Sequence, residues 1–296
     1  EVLCDAESAR HQTAPPAGAT KSYRRAALAR WITDTEHGAG QLAARVIVNR
    51  LWHHHFGVGI VATPNDFGFQ GSPPSHPELL DYLARRLVDD GWRLKSLHKL
   101  IMTSAVYMQS SERDAERTAI DPDNRWLWRR SRRRLEAEAI RDGMLAVSGK
   151  LDATMLGPGT LDANMNRRSI YFFIKRTQLI PGMMLFDWPE HLVSIGRRAS
   201  TTIAPQALMF MNSPQGRQYA ADFAARLPAD ADQAIETAYR LAYSRPPSAA
   251  EQSSCRDFLD QQRQHYGPEH GEQAIALARR DFCQALLSAN EFVYID

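Results

Sequence analysis

The chain of 296 residues lacks long hydrophobic runs and contains only three cysteines. No stretch approaches the roughly 18 consecutive apolar residues of a membrane-spanning helix, so we predict no membrane span. The opening letters, EVLCDAESAR, lack the basic-then-apolar order of a signal peptide. The opening resembles the stray end of a piece cut from a longer protein, in which case the missing signal has no bearing on where that protein acts.

The short motifs of common catalytic and cofactor sites are missing as well. The sequence has no nucleophile elbow, phosphate-binding loop, dinucleotide fingerprint or paired CxxC, and no CxxCH haem-attachment site. We therefore expect no cofactor in this chain. The sequence does not say whether the protein is an enzyme.

Lysine is scarce: it supplies only five of the 36 basic residues, and arginine supplies the rest. The net charge of +2 argues against a nucleic-acid partner, since such binding needs many uncompensated phosphate contacts. Arginine pairs with carboxylates, phosphates and sulfates in a bidentate manner that lysine cannot match. A GC-rich genome explains the same bias equally well.

Helical periodicity dominates the rest of the sequence and predicts a mainly α fold. We expect an irregular multi-helix domain with a small β element in its middle region. Residues 1–22 resemble a disordered or linker-like segment, and residues 23–296 a single domain. The β element is placed at Arg168–Lys175 (RSIYFFIK), which is β-branched and aromatic. Within the domain we predict a helical core (23–156), a loop-rich middle (157–204) and C-terminal helices (205–296).

Turn and capping signals set the predicted helix bounds. Two capping boxes, Ser75 with Glu78 and Ser248 with Glu251, each predict a helix start. A helix that follows the basic segment RWLWRRSRRR is expected to end at Gly149. Other helices are predicted at Tyr23–Thr33, Gln41–Phe56, about Leu94–Met108, about Pro205–Met211, Ala231–Tyr243 and Glu272–Ser288.

The segment Ala43–Gly71 (AARVIVNRLWHHHFGVGIVATPNDFGFQG) combines an apolar helix with polar side chains and a glycine-rich loop. Polar groups on a buried helix need partners, because an unpaired buried donor costs a few kcal/mol. We therefore expect Arg45, Asn49 and Arg50 to be buried and hydrogen-bonded.

Four residues are candidates for catalysis: Asp66, His54, His76 and His98. Asp66 lies on a glycine-flanked loop, a common place for a functional carboxylate, although a turn-stabilising role is commoner. His55 shares the apolar face of its helix and is expected to be a hydrogen-bonded core histidine. The spacing does not match a metal site, so no metal ligand is assigned.

Arginines form two groups that could bind anions. The run around Arg132–Arg134 follows Trp126 and Trp128, but acidic residues follow at once, so we expect internal pairing. The second group, in the loop-rich middle, has fewer acidic neighbours in sequence. It is the candidate site for a sulfated or carboxylated glycan and consists of Arg167, Arg168, Arg197 and Arg198.

The three cysteines allow one open question and two expectations. Cys283 lies on a strongly apolar helix, so we expect it to be buried and reduced. Cys4 is expected to be exposed and unpaired. A bridge between Cys255 and Cys283 is sterically possible only if their Cα atoms lie within about 7 Å.

Ordered motifs across about residues 24–296 resemble a C-terminal domain of unknown function, number fifteen-fifty-three, found in large planctomycete proteins. The motifs that carry the resemblance are VNRLWHHHFGVGIV, TPNDFGFQGSPPSHPELLDYLA, GWRLKSLHKLIMTSAVYMQSS, DPDNRWLWRRSRRRLEAEAIRDGMLAVSG, RRSIY, FDWPE and CQALLSANEFVYID. The resemblance implies an exported parent of the cell envelope, acting in the periplasm or at the cell surface. It also implies that c-type cytochrome modules, with haem c, occur elsewhere in that parent.

Two functions follow as expectations. The first is a binding or scaffolding module that contacts other domains of the parent, cytochrome-type partners or an anionic polysaccharide. The alternative is an uncharacterised hydrolase or metal-dependent enzyme that uses Asp66 and the nearby histidines. Convergence of Asp66, His54, His76 and His98 in one pocket would favour the enzyme.

Overall fold

The computed structural model describes His11, Pro15, residues 17–189 and residues 194–295. Over these residues the fold is mainly α, as predicted, and the chain divides into two compact units, one ending at Ser131 and one running from Arg132 to Ile295. The elements of the first unit are α1 (Arg24–Thr33), α2 (Gly40–Phe56), α3 (Pro77–Asp89), α4 (Leu94–Met102) and α5 (Ala115–Ile120). The elements of the second unit are β1 (Arg133–Arg134), α6 (Ala137–Ser148), α7 (Pro181–Met184), α8 (Ala204–Asn212), α9 (Pro214–Ala224), α10 (Ala231–Tyr243), α11 (Ala249–His270), α12 (Ala274–Ser288), α13 (Asn290–Val293) and β2 (Tyr294–Ile295).

Helix α2 is the centre of the first unit. It packs against α1 and α3, and α3 packs against α4. Ala44, Val48 and Trp52 recur every four residues and are buried, so they form one apolar stripe toward the core. The helix ends at Gly57, whose φ of 84° suits a residue without a side chain.

A buried side chain on α2 holds the loop that follows this helix. Asn49 is fully buried, its amide donates to the Val61 carbonyl at 3.0 Å, and its oxygen accepts the Val61 N–H at 2.8 Å. Both sides of the amide are therefore satisfied. A Cβ at Gly59 would lie 2.7 Å from the Asn49 amide, so the backbone approaches closely only because residue 59 is glycine.

Helices α6, α9 and α12 build the core of the second unit. Helix α12 packs against α8, α9 and α11, and α6 packs against α9. Leu145, Phe223 and Ile235 have no exposed surface. The strands β1 and β2 form a two-stranded antiparallel ladder in which Arg134 lies opposite Tyr294.

The β element lies elsewhere than the sequence predicts. Arg168–Lys175 is not a strand, because Ser169–Tyr171 forms a 3₁₀ turn and its neighbours make only isolated bridges, such as Thr160 with Phe172. The 3₁₀ turn is fixed by Asp142, whose Oδ1 accepts both the N–H and the hydroxyl of Ser169 at 2.7 Å. Local side-chain bonding thus overrides the β propensity of the apolar residues.

Two predicted helix starts have different outcomes. The capping box of α11 is confirmed, because Ser248 Oγ accepts the Glu251 N–H and Glu251 accepts the Ser248 N–H. The capping box predicted at Ser75 is not formed, because Ser75 Oγ forms hydrogen bonds with the Ile60 carbonyl and the His76 ring instead. Helix α3 begins on Pro77 without a side-chain cap.

The predicted division of the chain is not settled by these units. A single domain over residues 23–296 stays a prediction, and the break after Ser131 falls inside the predicted helical core. Cys255 and Cys283 are free thiols, and Cys283 is buried, as predicted. Burial raises the pKa of Cys283 far above its usual range. Cys4 lies outside the described residues.

Candidate binding cleft

The last turn of α2 brings a histidine into a ring cluster in the first unit. His55 Nε2 lies 2.8 Å from His98 Nδ1, a hydrogen bond between rings. The Tyr107 ring meets His55 edge-on, with centroids 5.5 Å apart. Arg130 lies over the other side of this cluster, 4.2 Å from the Tyr107 centroid, and donates to the Tyr107 carbonyl. His55 is hydrogen-bonded, as predicted, but its side chain is only partly buried and does not belong to the core.

The loop after α5 is held by two buried polar residues. The Asp121 carboxylate accepts the N–H groups of Arg125 and Trp126 at 2.9 and 2.8 Å. Asn124 adopts a φ of 53° and bonds the Arg129 backbone on both sides of its amide. Asparagine tolerates this left-handed conformation better than most residues. These hydrogen bonds fix the shape of the loop, and the side chains of Arg125 and Trp126 are exposed at its surface.

A cleft of about 450 Å³ lies between this loop and the α2–α3 connection. Trp52, Phe56 and Leu127 supply apolar surface, whereas Asp123, Asn124 and Arg125 supply an acid, an amide and a guanidinium. This volume falls within the roughly 300–1,000 Å³ range of small-molecule sites. The cleft therefore combines an apolar face with polar groups of three kinds.

Trp126 stands beside this cleft and is largely open to solvent. Its exposed fraction is 64%, unusual for so large an apolar side chain, and Arg125 lies 6.0 Å from its ring centroid. The His76 ring supports it edge-on at 5.5 Å. An exposed, supported tryptophan offers an amphipathic contact surface with little mobility to lose on binding.

Three of the four catalytic candidates form hydrogen bonds with residues outside this set. Asp66 Oδ1 accepts the Gly68 N–H at 2.8 Å, the turn-stabilising role that was the alternative. His76 bonds Ser75, and His98 bonds His55. His54 is exposed, with its ring 5.5 Å from that of His53. None of the four lines the cleft.

The polar residues of α2 are only partly as expected. Asn49 is buried and paired, as predicted. Arg45 is half-buried and donates to Asp81 Oδ1 and to the Gln41 carbonyl. Arg50 is exposed, so its predicted burial is wrong. The sequence could not assign its face, because α2 carries apolar residues on nearly every side.

The predicted arginine cluster of the second unit is largely occupied by the protein itself. Arg167 lies 3.6 Å from the Tyr171 centroid and donates to the carbonyls of Thr154, Leu156 and Pro158. Arg168 is mostly exposed and lies 3.6 Å from Asp142. Arg197, which also belongs to the predicted anion site, is exposed.

Arg198 pairs with two carboxylates of its own unit. Its Nη1 lies 2.7 Å from Glu138 and 3.2 Å from Glu136. Burial alone would raise the pKa of Glu138, but the Arg198 hydrogen bond and charge outweigh it and hold that pKa below its usual value. Because these two carboxylates offset its positive charge, Arg198 attracts an external anion less strongly.

Arg134 shows the expected internal pairing. Its guanidinium is buried against Asp187 and lies 5.3 Å from the Phe186 centroid. Arg132 and Arg133 also have partners within the structure. Within this run of arginines, Arg134 therefore stabilises the fold of the second unit.

The described residues contain neither a metal-ligand cluster nor a membrane-spanning helix. Among them, no group of three or more His, Cys, Asp or Glu side chains is arranged to hold a metal ion. In the same part of the chain, no helix is both long and apolar enough to cross a bilayer.

Two helical units, one with an open cleft and one with a buried arginine network, define a mainly α-helical protein. Residues 24–259 match the family described as Protein of unknown function (DUF1553), and the chain belongs to this family. No curated protein and no solved structure matches the chain.

Sequence reasoning did not select the residues of the cleft. Asn124, Arg125 and Trp52 were overlooked because each resembles an ordinary loop or core residue in isolation. The usable signal was the turn-forming Asp-Pro-Asp-Asn sequence directly before Arg125 and Trp126, which predicts a shaped loop with outward side chains.

Proposed function

We propose that this chain is a binding module whose cleft in the first unit holds an acidic polysaccharide. The observation that carries the proposal is the cleft lining, in which the partly exposed apolar side chains of Phe56 and Leu127 lie beside the exposed side chains of Asp123 and Arg125. The apolar face of a sugar ring packs on such a surface, and its hydroxyls donate to a carboxylate such as that of Asp123.

Arg125 is the residue that favours an acidic sugar over a neutral one. It is exposed, lines the cleft and lies beside exposed Trp126. A guanidinium forms paired hydrogen bonds with a carboxylate or sulfate group. The groups at Arg167 and Arg198 contribute less, because both are held by internal partners.

The wider setting is also a proposal. We infer from the sequence resemblance that the parent protein acts outside the cytoplasm, in the periplasm or at the cell surface of a planctomycete. In that setting the module would contact other domains of its parent, including cytochrome-type modules. The alternative, a hydrolase or metal-dependent enzyme that uses Asp66 and nearby histidines such as His54, His76 and His98, stays a prediction.

Affinity electrophoresis tests the proposal. Gels would contain a polyuronate, a sulfated polysaccharide or uncharged dextran. We expect retardation by a charged polymer that weakens with salt, because exposed charges are screened within about 10 Å at 0.1 M ionic strength. The variants Arg125→Gln and Trp126→Ala should each weaken retardation several-fold.

The matched control is Arg113→Gln, which removes one exposed positive charge from the same unit. It should leave binding unchanged. Equal retardation of wild type and Arg125→Gln, or none by any charged polymer at low salt, would overturn the proposal.

A further inference from the structure

The second unit exposes large apolar side chains on the chain segments around its 3₁₀ turn. Folded proteins rarely leave such side chains together in water unless another surface covers them. We name these residues the apolar patch, and each of them is between 39% and 78% exposed: Met155, Leu156, Ile170, Phe173, Ile174 and Leu179.

Backbone hydrogen bonds hold the segments of the apolar patch side by side. The Thr160 N–H donates to the Tyr171 carbonyl at 3.0 Å, and the Phe173 N–H donates to the Thr160 carbonyl at 2.8 Å. The Leu156 N–H donates to the Tyr171 hydroxyl at 2.6 Å. The segment 154–160 therefore runs beside the residues that follow the 3₁₀ turn.

A tight turn places two cations next to the apolar patch. The Gln178 N–H donates to the Lys175 carbonyl at 3.0 Å, and the two ends of this turn are flanked by the patch residues Ile174 and Leu179. Lys175 and Arg176 lie in the turn, and both are exposed. In the part of the chain that the structure describes, neither cation forms an ion pair.

The backbone beneath the apolar patch is firmly attached to the second unit. Phe172 lies between patch residues in sequence and is buried in the core. Asp142 holds Ser169 through two hydrogen bonds, and Arg167 donates to three carbonyls of the segment 154–158. The patch is therefore exposed on an ordered backbone, and little ordering is left to be lost on binding.

The charge around the apolar patch favours a negatively charged partner. From residue 153 to residue 186 the sequence contains four basic residues and a single acidic one, Asp162. Aliphatic side chains provide no flat ring face for a sugar, unlike the cleft of the first unit. Apolar side chains next to cations are instead the combination that binds an anionic membrane surface.

We propose that the apolar patch inserts into the headgroup region of an anionic phospholipid bilayer, where Lys175 and Arg176 contact lipid phosphates. The chain then rests on the membrane surface without crossing it. This surface is independent of the polysaccharide cleft, which lies in the other unit.

Co-sedimentation of the full chain with vesicles tests the proposal. Vesicles would contain phosphatidylcholine alone or equal parts of phosphatidylcholine and phosphatidylglycerol. We expect at least about tenfold tighter binding to the anionic vesicles, because each basic residue near such a surface strengthens binding about fivefold. The preference should shrink as salt is added, since exposed charges are screened.

A matched pair of substitutions tests the apolar contribution. Ile174→Ser alters a patch residue that is 57% exposed, and Ile275→Ser alters a residue of α12 that is 52% exposed. Ile174→Ser should weaken binding to anionic vesicles about tenfold, whereas Ile275→Ser should not change it. Both variants should retain the wild-type melting temperature and the polysaccharide affinity of the cleft.

A second pair of variants tests the cations at equal net charge. Lys175→Gln combined with Arg176→Gln should weaken binding to anionic vesicles at least about tenfold and leave the weak binding to phosphatidylcholine unchanged. Arg240→Gln combined with Arg263→Gln removes two exposed charges from α10 and α11 and is the control. It should bind nearly as the wild type does.

Methyl-labelled methionine NMR locates the contact. Lipid nanodiscs that carry a nitroxide-labelled lipid should broaden the Met155 methyl signal strongly, because Met155 belongs to the apolar patch. Met102 in α4 is also exposed and should stay sharp.

Several results would overturn the proposal. These are no sedimentation with anionic vesicles at low salt, equal affinity for both kinds of vesicle, and full binding by Ile174→Ser. A dimer in the absence of lipid that Ile174→Ser dissociates would assign the apolar patch to a second copy of the chain instead.

Discussion

The two units fasten loops to helices with different chemistry. In the first unit, the neutral amide of Asn49 satisfies both polar groups of Val61 and leaves no charge behind. In the second unit, guanidinium groups of Arg134, Arg141 and Arg167 reach two or more partners each. An arginine spans more of a loop, but its charge needs a counter-ion or a ligand. Asn49 is therefore a neutral anchor, which satisfies the loop without any counter-ion, whereas these arginines are charged anchors, whose contribution depends on the charges around them.

The largest effect is expected where the charged anchor is most buried. Arg134→Met should destabilise the second unit by about 3–5 kcal/mol, because it leaves the Asp187 carboxylate without its cation. The Arg134 side chain is only 4% exposed and that of Asp187 15%. Chemical denaturation measures the change.

A surface pair provides the control for that substitution. Arg240 and Glu236 are four residues apart on α10, and both are at least half exposed. Arg240→Met should cost no more than about 0.5 kcal/mol. Comparable losses for the two variants would mean that burial does not decide the strength of these anchors.

The neutral anchor should rank second. Asn49→Ala leaves the buried N–H and carbonyl of Val61 without partners, and we expect a loss of about 2–4 kcal/mol. Arg50→Ala alters the next residue of the same helix, which is exposed, and should leave stability nearly unchanged. A loss below that of Arg50→Ala would refute the anchoring role of Asn49.

The paired carboxylate of Glu138 should make the stability of the second unit depend on pH in the acidic range. The folded-state pKa of Glu138 is lowered, so its stabilising contribution is present above the ordinary value of 4.5 and is lost as the pH falls through the folded-state pKa. Arg198→Gln should cost about 1 kcal/mol at neutral pH and progressively less in acid. Denaturation curves of both proteins across this range test the convergence; a constant gap would contradict it.

The smallest effect is expected for an anchor near the surface. Arg167→Met should cost about 1 kcal/mol or less and expose the segment 154–158 to proteolysis, because this arginine holds three carbonyls of that segment. Arg168→Met, at the mostly exposed neighbour, is the control. Identical cleavage rates for the two variants would leave Arg167 without a structural role in the loop.

The sequence predicts the elements whose signals are local. The bounds of α10 and the capping box of α11 match, because hydrophobic spacing and a cap act within one helix. Helix α9 was missed because Pro214 resembles a break, although proline is well suited to the first helical position. The cleft depends on residues that meet only through tertiary packing, as Trp52 and Arg125 do, and no local pattern encodes such a meeting.

The hold of Asn49 on Val61 also has a kinetic consequence. Val61 lies in a loop, where backbone amides ordinarily exchange their hydrogens with water quickly. Its amide is buried and bonded to a side chain of another element, so water reaches it only when the first unit opens. The Leu156 amide, bonded to the Tyr171 hydroxyl in an exposed loop, is released by a much smaller motion. The exchange rate of the Val61 amide therefore reports opening of the first unit. The exchange rate of the Leu156 amide reports motion of its own loop.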